Sequence, residues 1–277
     1  MIDLNENLLS DYELEQDVEL VSELSGISVE DLSSVVDIDD IESVYEYALS
    51  NNININDIKW QQYKDFDSDE VMFLSHGSRN NLKGDRIKLV DSPNSNDFGN
   101  GFYCGTSLKQ AGMFVADEPE SSIYVISFEP EGLTHCKLRV GLDWMIAVAY
   151  YRELIDKYKN HERVKYVVDR IENSDYVIAP IADNRIFEPI DLFVEGELTD
   201  LQCLHALTAT YLGVQFVFKK QKAIDCLDVV DHFYLCQTEK DLYSISNSVE
   251  SNTSLNKAIL AKKQYRGKGQ YIKDIFN

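Results

Sequence analysis

The chain has 277 residues, of which 44% are hydrophobic and 11% aromatic, so it is long enough for one large domain or two smaller ones with packed cores. Its formal net charge is −22. A negative charge of this size disfavours nonspecific binding to nucleic acid or to an anionic membrane surface, because both would repel the chain.

The chain shows no membrane or secretion signal. No stretch approaches the roughly 18 consecutive apolar residues that a membrane-spanning helix needs. The N-terminus is acidic and lacks the basic and apolar regions of a signal peptide. The five cysteines are widely spaced, without a Cys-x-x-Cys pair: Cys104, Cys136, Cys203, Cys226 and Cys236. We therefore expect reduced thiols, no disulfide framework and a cytoplasmic protein.

Residues 1–67 are acidic and predict a small all-helical module. Gly26 predicts the end of a first helix, and Ser28 with Asp31 predicts the N-cap of a second. Apolar residues at helical spacing predict the buried faces of two helices: Leu14, Val18 and Val21 in one, and Ile41, Val44, Tyr45 and Ala48 in the other.

Residues 20–36 resemble a helix-turn-helix repressor domain. Residues 28–37, however, contain no Lys or Arg. Because DNA binding requires neutralisation of phosphates, we expect a degenerate module that contacts a protein partner, and direct binding to duplex DNA is disfavoured.

The acidic segment 65–70 predicts a boundary, after which strands and helices are mixed. This mixture predicts an α+β fold for residues 68–227. Strand-like runs occupy residues 71–74, 101–105, 123–128, 138–140, 176–181 and 215–218, and helices are expected after Ser107, Asp143 and Thr199.

Residues 228–277 predict a C-terminal extension. Its polar segment 244–253 is expected to be a loop. Its last 23 residues are basic, with Lys257, Lys262, Lys263, Arg266, Lys268 and Lys273 against Asp274.

Two short motifs about 20 residues apart predict a ligand site. Ser75-His76-Gly77-Ser78 ends one apolar run, and residues 97–103 (Asp-Phe-Gly-Asn-Gly-Phe-Tyr) lead into the next strand. Each motif places a polar ring, His76 or Tyr103, beside glycines. Since glycine lets a backbone approach a ligand closely, two such elements side by side predict a cleft for a flat, polar molecule.

Structural alternatives exist for each residue taken alone. Taken alone, His76 before Gly-Ser is more typical of a capping or turn residue than of a catalytic one, and Tyr103 is most typical of a core aromatic whose hydroxyl reaches the surface. The other histidines show no ligand spacing, so no metal site is expected: His135, His161, His205 and His232.

With a third strand-like segment that begins at Gln215, these motifs resemble the catalytic strands of ADP-ribosyltransferases of the diphtheria-toxin type, with their His, Tyr and Glu positions. The resemblance covers most of residues 71–227 and points to an uncharacterised bacterial branch of that superfamily. Four segments are similar in order and spacing: 97–103, 143–152, 175–184 and 215–224.

This resemblance implies a split β-sheet core and transfer of ADP-ribose from NAD+ to an unknown macromolecular acceptor, with release of nicotinamide and no metal. It also implies a role as a toxin or defence effector. The implied catalytic residues are His76 on the adenosine-side ribose, Tyr103 stacked on the nicotinamide, and Gln215. The implied NAD-binding residues are Gly77, Ser78, Arg79, Asp97, Gly99, Gly101, Phe102, Thr106 and Asp183.

Basic residues follow the His76 motif in an otherwise acidic chain: Arg79, Lys83, Arg86 and Lys88. They can attract the phosphates of a dinucleotide, or they can form an ordinary charged surface segment. Both interpretations stay open.

Gln215 departs from the family pattern, which has glutamate at this position. A glutamine can hydrogen-bond a ribose hydroxyl but supplies no negative charge, and losing one positioned electrostatic group costs about 2.7–4 kcal/mol. A carboxylate from elsewhere can compensate, with Asp183, Glu195 and Glu197 as candidates. The alternative is a catalytically weak, NAD-binding regulatory protein.

Overall fold

A computed structural model describes residues 11–277 except 79–81, 83–86, 88, 90–95, 119–121, 183 and 209–212. Within these residues it contains helices and strands in mixed order, which confirms the expected α+β class. None of the described helices combines the length and apolar character that crossing a bilayer requires.

The bounds of the elements are as follows. The α-helices are α1 (Asp11–Ser25), α2 (Val29–Ser33), α3 (Ile41–Ser50), α4 (Ile55–Asp65), α5 (Leu108–Val115), α6 (Leu142–Tyr151), α7 (Glu162–Glu172), α8 (Asn184–Val194), α9 (Asp200–Thr208), α10 (Gln221–Ile224), α11 (Gln237–Gln264) and α12 (Ile272–Ile275), with a 3₁₀ helix at Asp156–Tyr158. The strands are β1 (Met72–Ser78), β2 (Phe102–Gly105), β3 (Ser122–Phe128), β4 (His135–Lys137), β5 (Tyr176–Pro180), β6 (Val214–Phe218) and β7 (Leu227–Phe233).

The chain divides into two compact units, each assembled from segments that are distant in sequence. Unit 1 comprises the described residues of 1–86, 107–128 and 229–246. Unit 2 comprises those of 87–106, 129–228 and 247–277.

Local capping defines the N-terminal helices of unit 1. α1 ends before Gly26, which adopts a φ of 73°, and the Ser28 side chain accepts a hydrogen bond from the backbone N–H of Asp31. Both predicted signals are therefore confirmed. Asp40 and Asn54 cap α3 and α4 in the same way, as expected for short polar residues at N-caps.

The predicted apolar faces form one core of unit 1. Its buried members from those faces are Val18, Val21, Ile41, Val44, Tyr45 and Ala48, with Leu14 packed against them. The buried Tyr45 hydroxyl donates to Asp17 at 2.8 Å, and Asp17 also pairs with Lys59 at 2.7 Å. Polar partners thus satisfy the buried phenol, as burial requires.

Strands β1 and β3 of unit 1 are antiparallel. β1 pairs with β3 from Met72↔Phe128 to Ser78↔Ser122, and β7 follows β3 in the strand order. α5 packs against β1 and β3 through Leu108, Ala111 and Val115.

Unit 2 has a mixed arrangement of strands in the order β4-β5-β6-β2. β4 is parallel to β5, whereas β5–β6 and β6–β2 are antiparallel. α6 and α7 supply much of the core beside these strands, including Trp144, whose indole N–H donates to the Pro180 carbonyl at 3.1 Å.

The predicted loop at 244–253 is wrong, because these residues lie within α11. The two ends of the helix have specific partners. The buried Glu239 accepts hydrogen bonds from Asn56 in unit 1, and in unit 2 the Gln202 amide donates to the Lys262 carbonyl at 2.8 Å. Tertiary contacts of this kind outweigh a low local helix propensity.

Candidate functional site

A buried carboxylate, Asp97, lies at the centre of a polar network in unit 2. Asp97 begins the turn that precedes β2 and is 6% exposed. Its Oδ2 accepts hydrogen bonds from the backbone N–H of Ala182 and from the Gln215 side chain, both at 2.8 Å. Its Oδ1 forms an ion pair with Arg152.

Four separate segments supply this network. Arg152 caps the C-terminal end of α6, Ala182 follows β5, and Gln215 lies on β6. The Arg152 guanidinium also donates to the carbonyl of Ala182. The end of a helix, the end of a strand and the interior of another strand are therefore joined through Asp97.

Electrostatics explain how the charge is tolerated. Burial raises the pKa of Asp97, and Arg152, Gln215 and the Ala182 N–H all oppose that rise. A buried charge is costly unless donors match it, and here both carboxylate oxygens have donors. The position of the Asp97 side chain is therefore strongly constrained.

Tyr103 on β2 fixes the turn that contains Asp97. Its hydroxyl donates to the Gly99 carbonyl at 2.6 Å and accepts from the Phe98 N–H at 3.2 Å. Gly99 has a φ of 67°, in the left-handed region that favours glycine. Burial raises the pKa of Tyr103, so the phenol stays neutral and remains a donor.

Lys219 holds the same turn from the other side. Its ammonium donates to the Phe98 carbonyl at 2.7 Å, pairs with Glu172 at 3.1 Å and lies 4.4 Å from the centroid of the Tyr151 ring. Burial lowers the pKa of Lys219, and Glu172 opposes the change. The turn is thus held at its carbonyl and amide groups as well as through Asp97.

Comparison with known proteins identifies the family. Residues 72–229 match a family model described as a protein of unknown function (DUF3990). The match begins at the first residue of β1, ends within β7 and covers more than half of the chain.

The chain belongs to the DUF3990 family. No curated protein and no solved structure matches it. The DUF3990 region contains every residue that the sequence predicted for the site, from His76 to Gln215.

Gln215 lies opposite Gly105 of β2 and Ala179 of β5. Its amide nitrogen donates to Asp97 and, at 3.0 Å, to the carbonyl of Pro180. Because both partners are acceptors, they fix which end of the amide is NH₂. Gln215 thus contacts the carboxylate of Asp97, a residue that the sequence assigned to NAD binding.

The structure describes two of the three proposed substitutes for the missing glutamate. Glu195 and Glu197 are exposed beyond the end of α8, and Glu197 is 3.8 Å from Lys262. Asp183 lies outside the described residues.

His76 lies in unit 1, whereas Tyr103 and Gln215 lie in unit 2. His76 is half-buried on β1, opposite Tyr124 of β3. Successive strand residues point to opposite faces, so His76 shares a face with Ser78, which is opposite Ser122.

Gly77 permits a close approach within the protein. A Cβ at this position would lie 2.6 Å from the Ala111 carbonyl oxygen of α5. The backbone contact that glycine allows here is therefore made by a helix of unit 1.

The remaining predicted residues differ in their surroundings. Phe102 is buried opposite Phe218, and Thr106 is 3.5 Å from the Val214 carbonyl. A Cβ on Gly101 would lie 2.8 Å from Val217. Four predicted basic residues lie outside the described part of the chain: Arg79, Lys83, Arg86 and Lys88.

A surface hollow of about 590 Å³ in unit 2 lies beside α7 and is lined by Asp143, His161, Glu162, Arg163, Tyr166 and Ile275. Its lining shares no residue with the Asp97 network. Asp143 pairs with Arg163 at 3.3 Å and with Arg170 at 3.4 Å, and all three side chains are partly exposed.

The sequence did not indicate the roles of Lys219 and Glu172. Lys219 follows β6 directly, within the segment 215–224 that carries the resemblance, and this position was the available signal. Glu172 ends α7 and meets Lys219 only through the tertiary fold.

Proposed function

We propose that the chain is an NAD+-dependent ADP-ribosyltransferase with a macromolecular acceptor. The observation that carries the proposal is the convergence on Asp97. The four segments that resemble ADP-ribosyltransferases each supply part of one network: Asp97, Arg152, the Pro180–Ala182 backbone and Gln215. A chance resemblance of separate segments gives no reason for them to meet.

The network leaves the carbonyl oxygen of Gln215 as the atom of this side chain that can bind substrate. Since the amide nitrogen is occupied by Asp97 and Pro180, the carbonyl oxygen is the atom that can accept a hydrogen bond from a ribose hydroxyl. Asp97 acts here as a positioning residue, because its oxygens hold Gln215, Arg152 and the Ala182 N–H.

Tyr103 serves two purposes in this proposal. Its hydroxyl holds the turn at Phe98 and Gly99, so the ring is the part that contacts the nicotinamide. The nicotinamide of NAD+ is a cation, and a π face contributes about 0.5–2 kcal/mol to binding it. The resemblance assigns His76 to the adenosine-side ribose.

The test is incubation of the pure protein with labelled NAD+ and a cell lysate, followed by measurement of transferred label and released nicotinamide. We expect labelling by the wild type and its loss in His76→Ala and Tyr103→Ala. Tyr103→Phe keeps the ring and should retain more activity than Tyr103→Ala. The exposed Tyr166 on α7 gives the control, Tyr166→Phe, which should match the wild type.

A second candidate is an NAD-binding regulatory protein with weak catalysis. The neutral side chain at position 215 favours it, because Gln215 brings no negative charge to a developing oxocarbenium ion. Calorimetric binding of NAD+ without nicotinamide release or label transfer would establish this alternative. The transferase proposal also includes a toxin or defence role and a protein partner for the acidic N-terminal module.

A further inference from the structure

Three potential metal ligands converge in unit 1. They are Glu13 on α1 and the neighbouring residues Asp231 and His232 on β7. One ligand atom from each lies within 4.8 Å of the other two, and all three residues are half-buried. More than 200 residues separate Glu13 from the other two, so histidine spacing in the sequence gave no indication of the cluster.

Surrounding groups orient the cluster. Asp231 Oδ1 accepts from the backbone N–H of His232 at 2.7 Å, and its Oδ2 accepts from the Tyr63 hydroxyl at 3.0 Å. The His232 ring stacks on Tyr124, with centroids 6.1 Å apart. Hydrogen bonds to ligating carboxylates are typical of metal sites, where they fix ligand orientation.

One atom of the cluster residues lacks a partner among the described residues. His232 Nε2 is buried from solvent and accepts or donates no hydrogen bond there. A buried polar atom without a partner is costly. A cation coordinated through Nε2 removes this cost.

Charge also favours a cation. Glu13 and Asp231 place two carboxylates together in a chain of net charge −22. The nearby ammonium of Lys59 pairs with Asp17 at 2.7 Å and also acts electrostatically on Asp231, so it offsets part of the negative charge of the cluster.

We propose that Glu13, Asp231 and His232 bind one Zn²⁺ ion, with water as the fourth ligand. An imidazole with two carboxylates suits zinc, whereas Ca²⁺ and Mg²⁺ select oxygen ligands. In a tetrahedral site, bond lengths of about 2.0–2.2 Å place two ligand atoms about 3.3–3.6 Å apart. The ligand atoms here lie within 4.8 Å of one another, so side-chain rotations that move them by about 1 Å close the site.

The ion would connect α1 to β7, and thus the start of the described chain to a distant strand. Its role is structural and separate from the proposed transferase. Binding should raise the melting temperature by mass action and slow proteolysis within α1.

The experiment is calorimetric titration of the metal-stripped full-length protein with ZnCl₂, with CaCl₂ as the comparison. We expect one Zn²⁺ per chain, and at least about tenfold weaker binding in Glu13→Gln and in His232→Gln. The control is His135→Gln, an exposed histidine of unit 2, which should bind as the wild type does.

Circular dichroism of each variant without metal checks the fold. Zinc-dependent protection of α1 from protease should disappear in Glu13→Gln even if another residue still binds zinc. Equal affinity in the wild type and both ligand variants, Ca²⁺ bound as tightly as Zn²⁺, or no binding at all would each overturn the proposal.

Discussion

Replacement of Glu239 by glutamine should change how the stability of the protein depends on pH. Glu239 lies in the first turn of α11, is 3% exposed, and accepts hydrogen bonds from the Asn56 amide at 3.0 and 3.1 Å. Burial raises the pKa of Glu239 from its ordinary value of 4.5 to about 7, with the Asn56 hydrogen bond opposing the rise.

The magnitude follows from that difference. One pKa unit corresponds to about 1.4 kcal/mol, so a rise from 4.5 to about 7 penalises the ionised side chain in the folded state by about 3 kcal/mol. The folded protein binds the proton more tightly than the unfolded chain does. Stability contributed by the protonated group is therefore full below pH 4.5 and is lost as the pH rises through about 7.

Urea unfolding followed by tryptophan fluorescence between pH 4.5 and 8 measures the effect. Glu239→Gln keeps the shape of the side chain without the titration. We expect its free energy of unfolding to rise relative to wild type by about 3 kcal/mol across this range.

The control is Glu23→Gln, at an exposed position on α1, which should stay within about 0.5 kcal/mol of wild type at each pH. A constant difference between Glu239→Gln and wild type over the whole pH range would refute the reasoning.

Three further substitutions test the packing and the buried network by urea unfolding. Asp97→Asn removes the charge that the buried Arg152 guanidinium requires and should lower the free energy of unfolding by about 3–5 kcal/mol. Asp143→Asn, in a partly exposed ion pair, should lower it by less than about 1 kcal/mol. Equal losses in the two variants would contradict the stabilising role of the Asp97 network. Gln215→Glu replaces a donor with a second carboxylate and should lower the free energy of unfolding by about 1.5–3 kcal/mol at pH 8. The loss should be smaller at pH 5, where a proton shared with Asp97 restores a donor. A loss that does not depend on pH would contradict the contact between residue 215 and Asp97. Gly77→Ala places a Cβ 2.6 Å from the carbonyl oxygen of Ala111 on α5 and should lower the free energy of unfolding by about 1–3 kcal/mol. Gly141→Ala is the control, because its Cβ has its nearest neighbour at 3.7 Å and the change should be nearly neutral.

Features set by neighbouring residues were predictable from the sequence. The end of α1 at Gly26 and the Ser28 cap of α2 depend on local geometry, and the apolar spacing of α3 reports directly which face is buried. The interior of α11 was not predictable, because distant partners such as Asn56 hold its ends.

The candidate site was likewise predictable only in part: its residues could be named from the sequence, but their contacts could not. The sequence named Asp97, Tyr103 and Gln215, but not that Asp97 binds Gln215 or that the Tyr103 hydroxyl binds its own turn. Strand register places Gln215 opposite Gly105 and Ala179. Register depends on pairing across the sheet, which a single strand does not specify.

Chromatographic measurement of nicotinamide formed from NAD+ tests the central claim most directly. The purified wild type, supplied with lysate, should form nicotinamide in proportion to the ADP-ribose attached to acceptor. A folded Tyr103→Ala variant should form neither product. If the wild type neither binds NAD+ nor releases nicotinamide, the account of this site is contradicted.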